Sequence, residues 1–497
     1  MNNQDFKNLS DRELENALSL SLSDKILIKE ITNSVTPWKK AMTMALLGIA
    51  FTALTPAVLG LNYILPAIGI VLILLGFRKL RLENSAFKAC YVLSVIKSGF
   101  CIFSLFLSST IYGSGDYGTT FLNVQSALSI ICTFLIIIFL TIAIRKSQLK
   151  ANLPVKIKSA VAMIILYFIL LVWAILQIEI PLLGYLTIIS YIAILINLFR
   201  IIKDIDTAGY IIEAAPVKTP DKIVCLLLML ITAISIICGF VFFHSYDMQW
   251  KEFSQAEHSQ VSEIKEDLLS KGFPERVLND MSNKDIIACK NAVKIYSETE
   301  EYSVDESLDL LGFTINPDNP NTNEIRFTHL MISLDKERKL WMYLNHFEWL
   351  NGDNFYGTEA IQIWSSHGSA WTDCDSYSGK VLYDKNGKTY SSPYFSFTDE
   401  SYINKTPILG GEESDVFAKF SFPSGNLKQR GYVCYIGDEK WDGFAGTRMN
   451  YNHQKTFLQY PVKSAAKSRQ TDYTVSNGAF ILIMDSFSFF TDTKEFN

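Results

Sequence analysis

Acidic residues are missing from the interior of every long apolar run in the first half of this 497-residue chain. A proton-coupled carrier needs a buried carboxyl to load and release, so that class finds little support. Zinc-type spacing is missing as well. The eight cysteines and six histidines form no CxxC and no Cys/His cluster, which excludes a structural zinc module. The acidic residues show no EF-hand spacing, and no nucleophile or paired-carboxylate motif is recognisable. The first 40 residues are polar and helix-forming and contain no short apolar core of the kind a cleavable signal carries. Nor do the two halves of the apolar region repeat one another, as they do in many secondary transporters.

One further absence organises the chain. Seven apolar runs lie at about 41–59, 61–77, 87–112, 121–144, 160–178, 180–199 and 223–243, and three of their connections contain no Lys or Arg. At about 1.5 Å per residue each run matches a hydrocarbon core about 30 Å thick. The empty connections lie around Gly60, Gly113 to Thr120, and Glu179. The alternate ones carry Arg78, Lys79 and Arg81; then Arg145, Lys146, Lys150, Lys156 and Lys158; then Arg200, Lys203, Lys218 and Lys222. The positive-inside rule therefore predicts seven spans, a cytoplasmic N-terminus and an extracytoplasmic C-terminal region. G-protein-coupled receptors have an external N-terminus, so seven spans do not make this chain similar to them.

Net charge divides at the same place: residues 245–497 carry about −12 and the preceding residues about +7. An acidic outer region argues against nucleic acid and leaves cations, glycans or a basic protein as partners. The predicted domains are a cytoplasmic helical arm (1–40), an α-helical seven-span membrane bundle (41–244), an extracytoplasmic helical neck (245–323) and an antiparallel, jelly-roll-like β-sandwich (324–497). Ser10-Asp-Arg-Glu13 is a capping box opening the arm, which offers a surface for a cytosolic partner or serves as a solvated lead-in. Trp38, Lys39 and Lys40 are expected to anchor the chain at the membrane interface. Lys97, the one charge well inside a run, is expected to snorkel toward the cytoplasmic face.

In the neck, Ile264, Leu268 and Leu269 predict a helix stopped by Gly272, and Pro274 begins the next. Ser282-Asn-Lys-Asp285 caps a third that Val293 and Ile295 continue, and Val304 to Leu311 suggests a fourth. Beyond the break at Asn316 to Asn323, strands are predicted at 325–334, 340–350, 358–364, 379–384, 389–397, 416–422, 431–436, 456–460 and 479–490. Asn386-Gly387 supplies the positive φ angles of a tight hairpin turn.

Candidate ligand-binding residues lie in the sandwich. Trp371, in the polar stretch Ser365 to Asp373, is the aromatic best placed to stack on a sugar ring, with Trp349 beside it in the set; buried, such rings are simply core. His346 and Glu348 share a strand face and, with Asp353 and His367, form either an acid–base or metal site or a set of satisfied polar residues. Cys374 and Cys434 are the pair available for a disulfide, and no cofactor or metal is implied.

Three functions remain open. The first is an envelope protein whose outer domain binds or senses a cell-wall glycan or an envelope protein while the bundle anchors or relays. The second is a transporter or assembly subunit, and the third a surface-tethered cell-wall enzyme. A composition rich in Ile, Lys and Asn is similar to that of membrane proteins from low-GC Gram-positive bacteria, which implies a bacterial plasma membrane.

Overall fold

The computed structural model describes residues 37–54, 61–176, 181–210, 212, 219–254, 259–304, 323–335, 340–351, 355–365, 377–395, 398–403, 412–425, 427–438, 444–471 and 479–490. The chain divides into two compact units. One comprises Met1–Phe106 with Thr120–Ile236, the other Leu107–Thr119 with Ile237–Asn497.

The first unit is helical. Helices α1 (Pro37–Ala53), α2 (Leu61–Leu80), α3 (Ser85–Leu107), α4 (Asp116–Lys150), α5 (Lys158–Leu176), α6 (Pro181–Thr207) and α7 (Asp221–Phe242) occupy the places of the seven apolar runs. Among the described residues, five of them (α2, α3, α4, α6 and α7) are long and apolar enough to cross a membrane. Helix α5 is apolar over the shorter stretch Lys158–Trp173, and α1 has 17 residues.

Helices α1 and α2 meet backbone to backbone. A Cβ on Gly48 would lie 2.5 Å from the Gly69 carbonyl oxygen, and one on Gly76 would lie 2.7 Å from that of Ala41. Small residues at these positions permit the close approach that helices need where no hydrophobic effect drives association.

Two expectations about this unit are corrected. Trp38 is fully buried rather than interfacial: its ring meets Phe87 and Tyr210 edge-on, and Nε1 donates to the Ile202 carbonyl at 3.4 Å. Lys97 does not reach for the surface. It is buried between α3 and α4 and donates to Thr133 Oγ1, because a neighbouring hydroxyl satisfies it without an extended side chain.

The basic helix ends are tied together. Arg78 and Lys79 pair with Asp221 at 3.3 and 2.7 Å, Lys150 with Glu83 at 2.7 Å and Lys156 with Asp204 at 3.2 Å. The Tyr210 hydroxyl also donates to Glu83, at 2.6 Å. These bonds bring the C-terminal ends of α2, α4 and α6 and the start of α7 to one end of the bundle.

The second unit is built on two antiparallel sheets. Its strands are β1 (Lys251–Glu252), β2 (Lys294–Val304), β3 (Asn323–Asp335), β4 (Leu340–Asn351), β5 (Glu359–Ser365), β6 (Ser378–Lys385), β7 (Lys388–Ser391), β8 (Thr398–Ile403), β9 (Glu412–Phe420), β10 (Arg430–Asp438), β11 (Phe444–Gln454) and β12 (Phe480–Phe490). The larger sheet runs β1-β7-β6-β10-β4-β3-β2 and the smaller β12-β11-β5-β9-β8.

Strand β4 shows why the layers form. Trp341, Tyr343, Phe347 and Trp349 face the core between the sheets, while Met342 and Leu344 face outward. That outer face is covered by α8 (Ser259–Ser270), α9 (Glu275–Asp280) and α10 (Asn283–Ala288), through Leu268, Val277, Leu278 and Ile286. On the smaller sheet, α11 (Ala465–Thr471) covers Ala360 and Phe417. The tight hairpin forms as expected: Lys385 pairs with Lys388 across Asn386 and Gly387, at φ 54° and 75°.

Several strand expectations fail. The order differs from a jelly roll, since β2-β3-β4 is a meander of sequence neighbours. Val293 and Ile295 do not continue a helix: Val293 precedes an edge strand and Ile295 lies within it. Residues 456–460 form no strand, and β8, β11 and α11 were not anticipated. The arm at 1–36 and the suggested helix over 305–311 lie outside the described residues.

The connection between α3 and α4 belongs to this unit. The Ser108 carbonyl accepts from Val462 N at 2.8 Å, and Ile111 N donates to the Phe243 carbonyl at 3.0 Å.

Candidate functional site

Strand β4 places the predicted residues on opposite faces. Trp349 points inward, 2% exposed, where Nε1 donates to the Tyr451 hydroxyl at 3.2 Å and the ring packs on Phe355 and His453. It is core. His346 and Glu348 point outward and do share a face, yet each takes its own partner. Nε2 of His346 lies 2.9 Å from Asp280 Oδ2, and Glu348 accepts from Arg326 at 3.0 Å. The structure does not join the two as one site. His367, Trp371, Asp353 and Cys374 lie outside the described residues. Cys434 is buried in the outer layer of the larger sheet, the layer that also contains Cys289. Among the described residues no three His, Cys, Asp or Glu side chains gather as a metal site.

The outer face of the larger sheet instead carries two polar clusters. In the first, Asp280 at the end of α9 accepts from Arg430 Nε at 2.7 Å, and Arg430 Nη2 reaches Asp384 at 3.0 Å. Burial alone would raise the Asp280 carboxyl, but His346 and Arg430 outweigh it and hold the group below the ordinary carboxylate value.

The second cluster centres on Asp285. Ser282 caps α10 by accepting from Asp285 N. The Asp285 carboxylate accepts from four hydroxyls: Ser282 at 2.8 Å, Ser378 at 2.8 Å, Tyr394 at 3.1 Å and Tyr432 at 2.5 Å. Burial and the neighbouring Asp285 charge push both tyrosine hydroxyls well above their usual range, so they remain neutral donors. Lys380 stands 4.7 Å above the Tyr394 ring; burial lowers its ammonium and Asp285 opposes the shift.

This network backs a cavity of 420 Å³. Its wall includes Ser282, Lys380, Ser391, Ser392, Lys251 and Phe253. A carboxylate holding four hydroxyl donors has little capacity left as a base, so Asp285 positions groups rather than moving protons. Hydroxyls and two ammonium groups around a concave surface suit a polar, hydroxyl-bearing or anionic ligand. Sequence reasoning found Ser282 and Asp285 only as a helix cap. Tyr394, Tyr432 and Ser378 reach them from over 90 residues away, and no local spacing signals that.

Two further His–carboxylate pairs are buried between the sheets. Nδ1 of His453 lies 3.0 Å from both Glu359 oxygens, and Nε2 of His329 lies 2.9 Å from Asp485. Burial pushes the Glu359 carboxyl up despite His453; Asp485 is held down by His329 against the effect of burial.

No protein-family model matches this chain, and no curated protein matches it. A solved structure titled "AvmM Catalyzes Macrocyclization in Alchivemycin A Biosynthesis" is similar over 30% of this chain and 79% of that one, at 11% identity and a TM-score of 0.18.

Proposed function

We propose that this is a seven-span protein of a bacterial plasma membrane, with its N-terminus in the cytoplasm, whose extracytoplasmic β-domain binds a cell-wall glycan while the bundle anchors it and relays occupancy. The basic helix ends, converging at one end of the bundle, support the orientation. So does the α3–α4 connection, which lacks Lys and Arg and is hydrogen-bonded within the same unit as the sandwich.

The observation that carries the ligand reading is the cavity backed by the Asp285 network, with hydroxyls and Lys380 in its wall. Full-length protein in neutral detergent is expected to bind purified peptidoglycan saturably. Lys380→Ala is expected to weaken that binding by about tenfold or more, the cost of one charge-assisted hydrogen bond, with an unchanged melting temperature. Failure of the folded protein to bind peptidoglycan would remove the glycan reading and leave an envelope protein as the ligand.

A transport reading is favoured by one feature, the buried Lys97 bonded to Thr133 across α3 and α4. An intramembrane lysine commonly marks a path. If it does so here, Lys97→Met abolishes solute flux in reconstituted vesicles while leaving peptidoglycan binding intact. If it only joins two helices, the same variant alters stability alone.

A further inference from the structure

A cavity of 710 Å³ in the helical unit opens beside the ends of α5 and α6, far in sequence from the Asp285 cluster. Its wall carries four cations, Lys156, Lys158, Arg200 and Lys203, against one carboxylate, Asp204. Lys156 is engaged with that carboxylate at 3.2 Å, and Arg200 donates to Asn197 at 3.2 Å. Lys158 and Lys203 make no ion pair among the described residues. With Lys156 paired to Asp204, the three remaining cations Lys158, Arg200 and Lys203 give the concavity a net positive charge that attracts an anion. Lys158 and Ser159 also form the first turn of the 19-residue helix α5, whose free N–H groups add positive potential at the same place.

What lies below the cavity indicates where the anion comes from. One and two turns further along α5, Val161 and Ile165 are exposed, at 38% and 54%. On α6, Ile196 and Ile192 continue the row that Arg200 begins, at 48% and 43% exposure. A polar, cationic cavity therefore sits at the head of two apolar stripes. A free phosphate needs only the cavity; a phospholipid needs both.

We infer that Lys158, Arg200 and Lys203 at the α5–α6 end of the bundle hold the phosphate of an anionic phospholipid, whose acyl chains lie along the exposed faces of the two helices. This inference rests on reading the chain as a multi-pass membrane protein, but not on the ligand of the outer domain. Basic pockets between spans at a cytoplasmic face are suited to such headgroups.

The test uses the full-length protein in nanodiscs of phosphatidylcholine doped with phosphatidylglycerol, with the lipid that co-purifies after extraction quantified by native mass spectrometry. Wild type is expected to retain phosphatidylglycerol over phosphatidylcholine. The triple variant Lys158→Gln/Arg200→Gln/Lys203→Gln is expected to lose that preference by roughly a hundredfold, three cations at about a factor of five each. All three side chains are exposed, and incorporation of the variant into pure phosphatidylcholine discs checks its fold. Equal retention by wild type and variant, or no preference in wild type, overturns the inference. Displacement of the lipid by millimolar inorganic phosphate also overturns it, by making free phosphate the ligand. A wild type that enters no disc overturns the membrane reading itself, an outcome distinct from a protein that enters discs without lipid preference.

Discussion

Replacing Arg430 by methionine is expected to destabilise the sandwich by about 3–5 kcal/mol, because it strands a buried carboxylate. The Asp280 side chain is only 8% exposed, and its charge is balanced by Arg430 Nε at 2.7 Å and His346 at 2.9 Å. Methionine keeps the apolar stem, so the loss isolates the guanidinium. Lysine should not rescue it. A single ammonium cannot present Nε to Asp280 and Nη2 to Asp384 together, as the fork does. Removing both charges, as in Arg430→Met with Asp280→Leu, should recover much of the loss, since the desolvation cost disappears with the pair.

The pH dependence follows from the sign of the shift. Asp280 titrates below its ordinary 3.8 in the folded state, and Asp485, held by His329, does likewise. Their contribution is complete above about 3.8 and drains away as pH falls through the depressed folded values. Thermal unfolding of the full-length protein in detergent, followed by near-ultraviolet circular dichroism, should therefore show a melting temperature that falls steeply below about pH 4. Asp280→Asn should start lower and fall less. A profile unchanged by that substitution would show that Asp280 does not set the acid limb.

How much of this could be read beforehand depends on whether the signal is local. Helices at the seven apolar runs, the Asn386-Gly387 turn and the strand over 340–350 all follow from neighbours in sequence, and each appears where expected. Strand β2 hid because an edge strand is polar: Lys-Ile-Tyr-Ser-Glu-Thr-Glu-Glu buries little on either side. Strand β11 hid for the opposite reason. It is central and buried on both faces, yet its outer face is polar: Asn450 bonds to Gln362 at 2.8 Å, which Arg469 of α11 also meets at 2.8 Å. Hydrophobic patterning cannot register a buried strand whose burial is satisfied by amides. The candidate site is illegible in the same way. His346 and Glu348 are visible as residue types, but the partners that claim them come from elsewhere: Asp280 by the packing of α9 on the outer face of the sheet, and Arg326 by the pairing of β3 with β4.

The glycine contact between α1 and α2 provides the second large effect. A methyl group on Gly69 would lie 2.7 Å from the Gly48 carbonyl oxygen and 2.9 Å from Thr52 Cγ2; one on Gly48 would lie 2.6 Å from Ile73 Cγ1. Backbone oxygens cannot rotate away as a side chain can, so the helices themselves must separate. Separation then opens the layer containing Leu46, Ile49 and Ile73, which are nearly fully buried. Gly48→Val and Gly69→Val are each expected to cost about 3 kcal/mol or more, at the upper end for overpacking. The readout is the loss of monodisperse full-length protein after detergent extraction. Gly99 supplies the control. It lies within α3 with nothing inside 4 Å of its would-be Cβ, so Gly99→Ala should be neutral or stabilise by about 0.5–1 kcal/mol through helix propensity. If Gly69→Val were as well tolerated as Gly99→Ala, the two helices would not be in backbone contact. The first apolar run would then have to be placed elsewhere in the bundle. That outcome bears on topology as well as packing, because α1, at 17 residues, is held to the other helices largely through this seam.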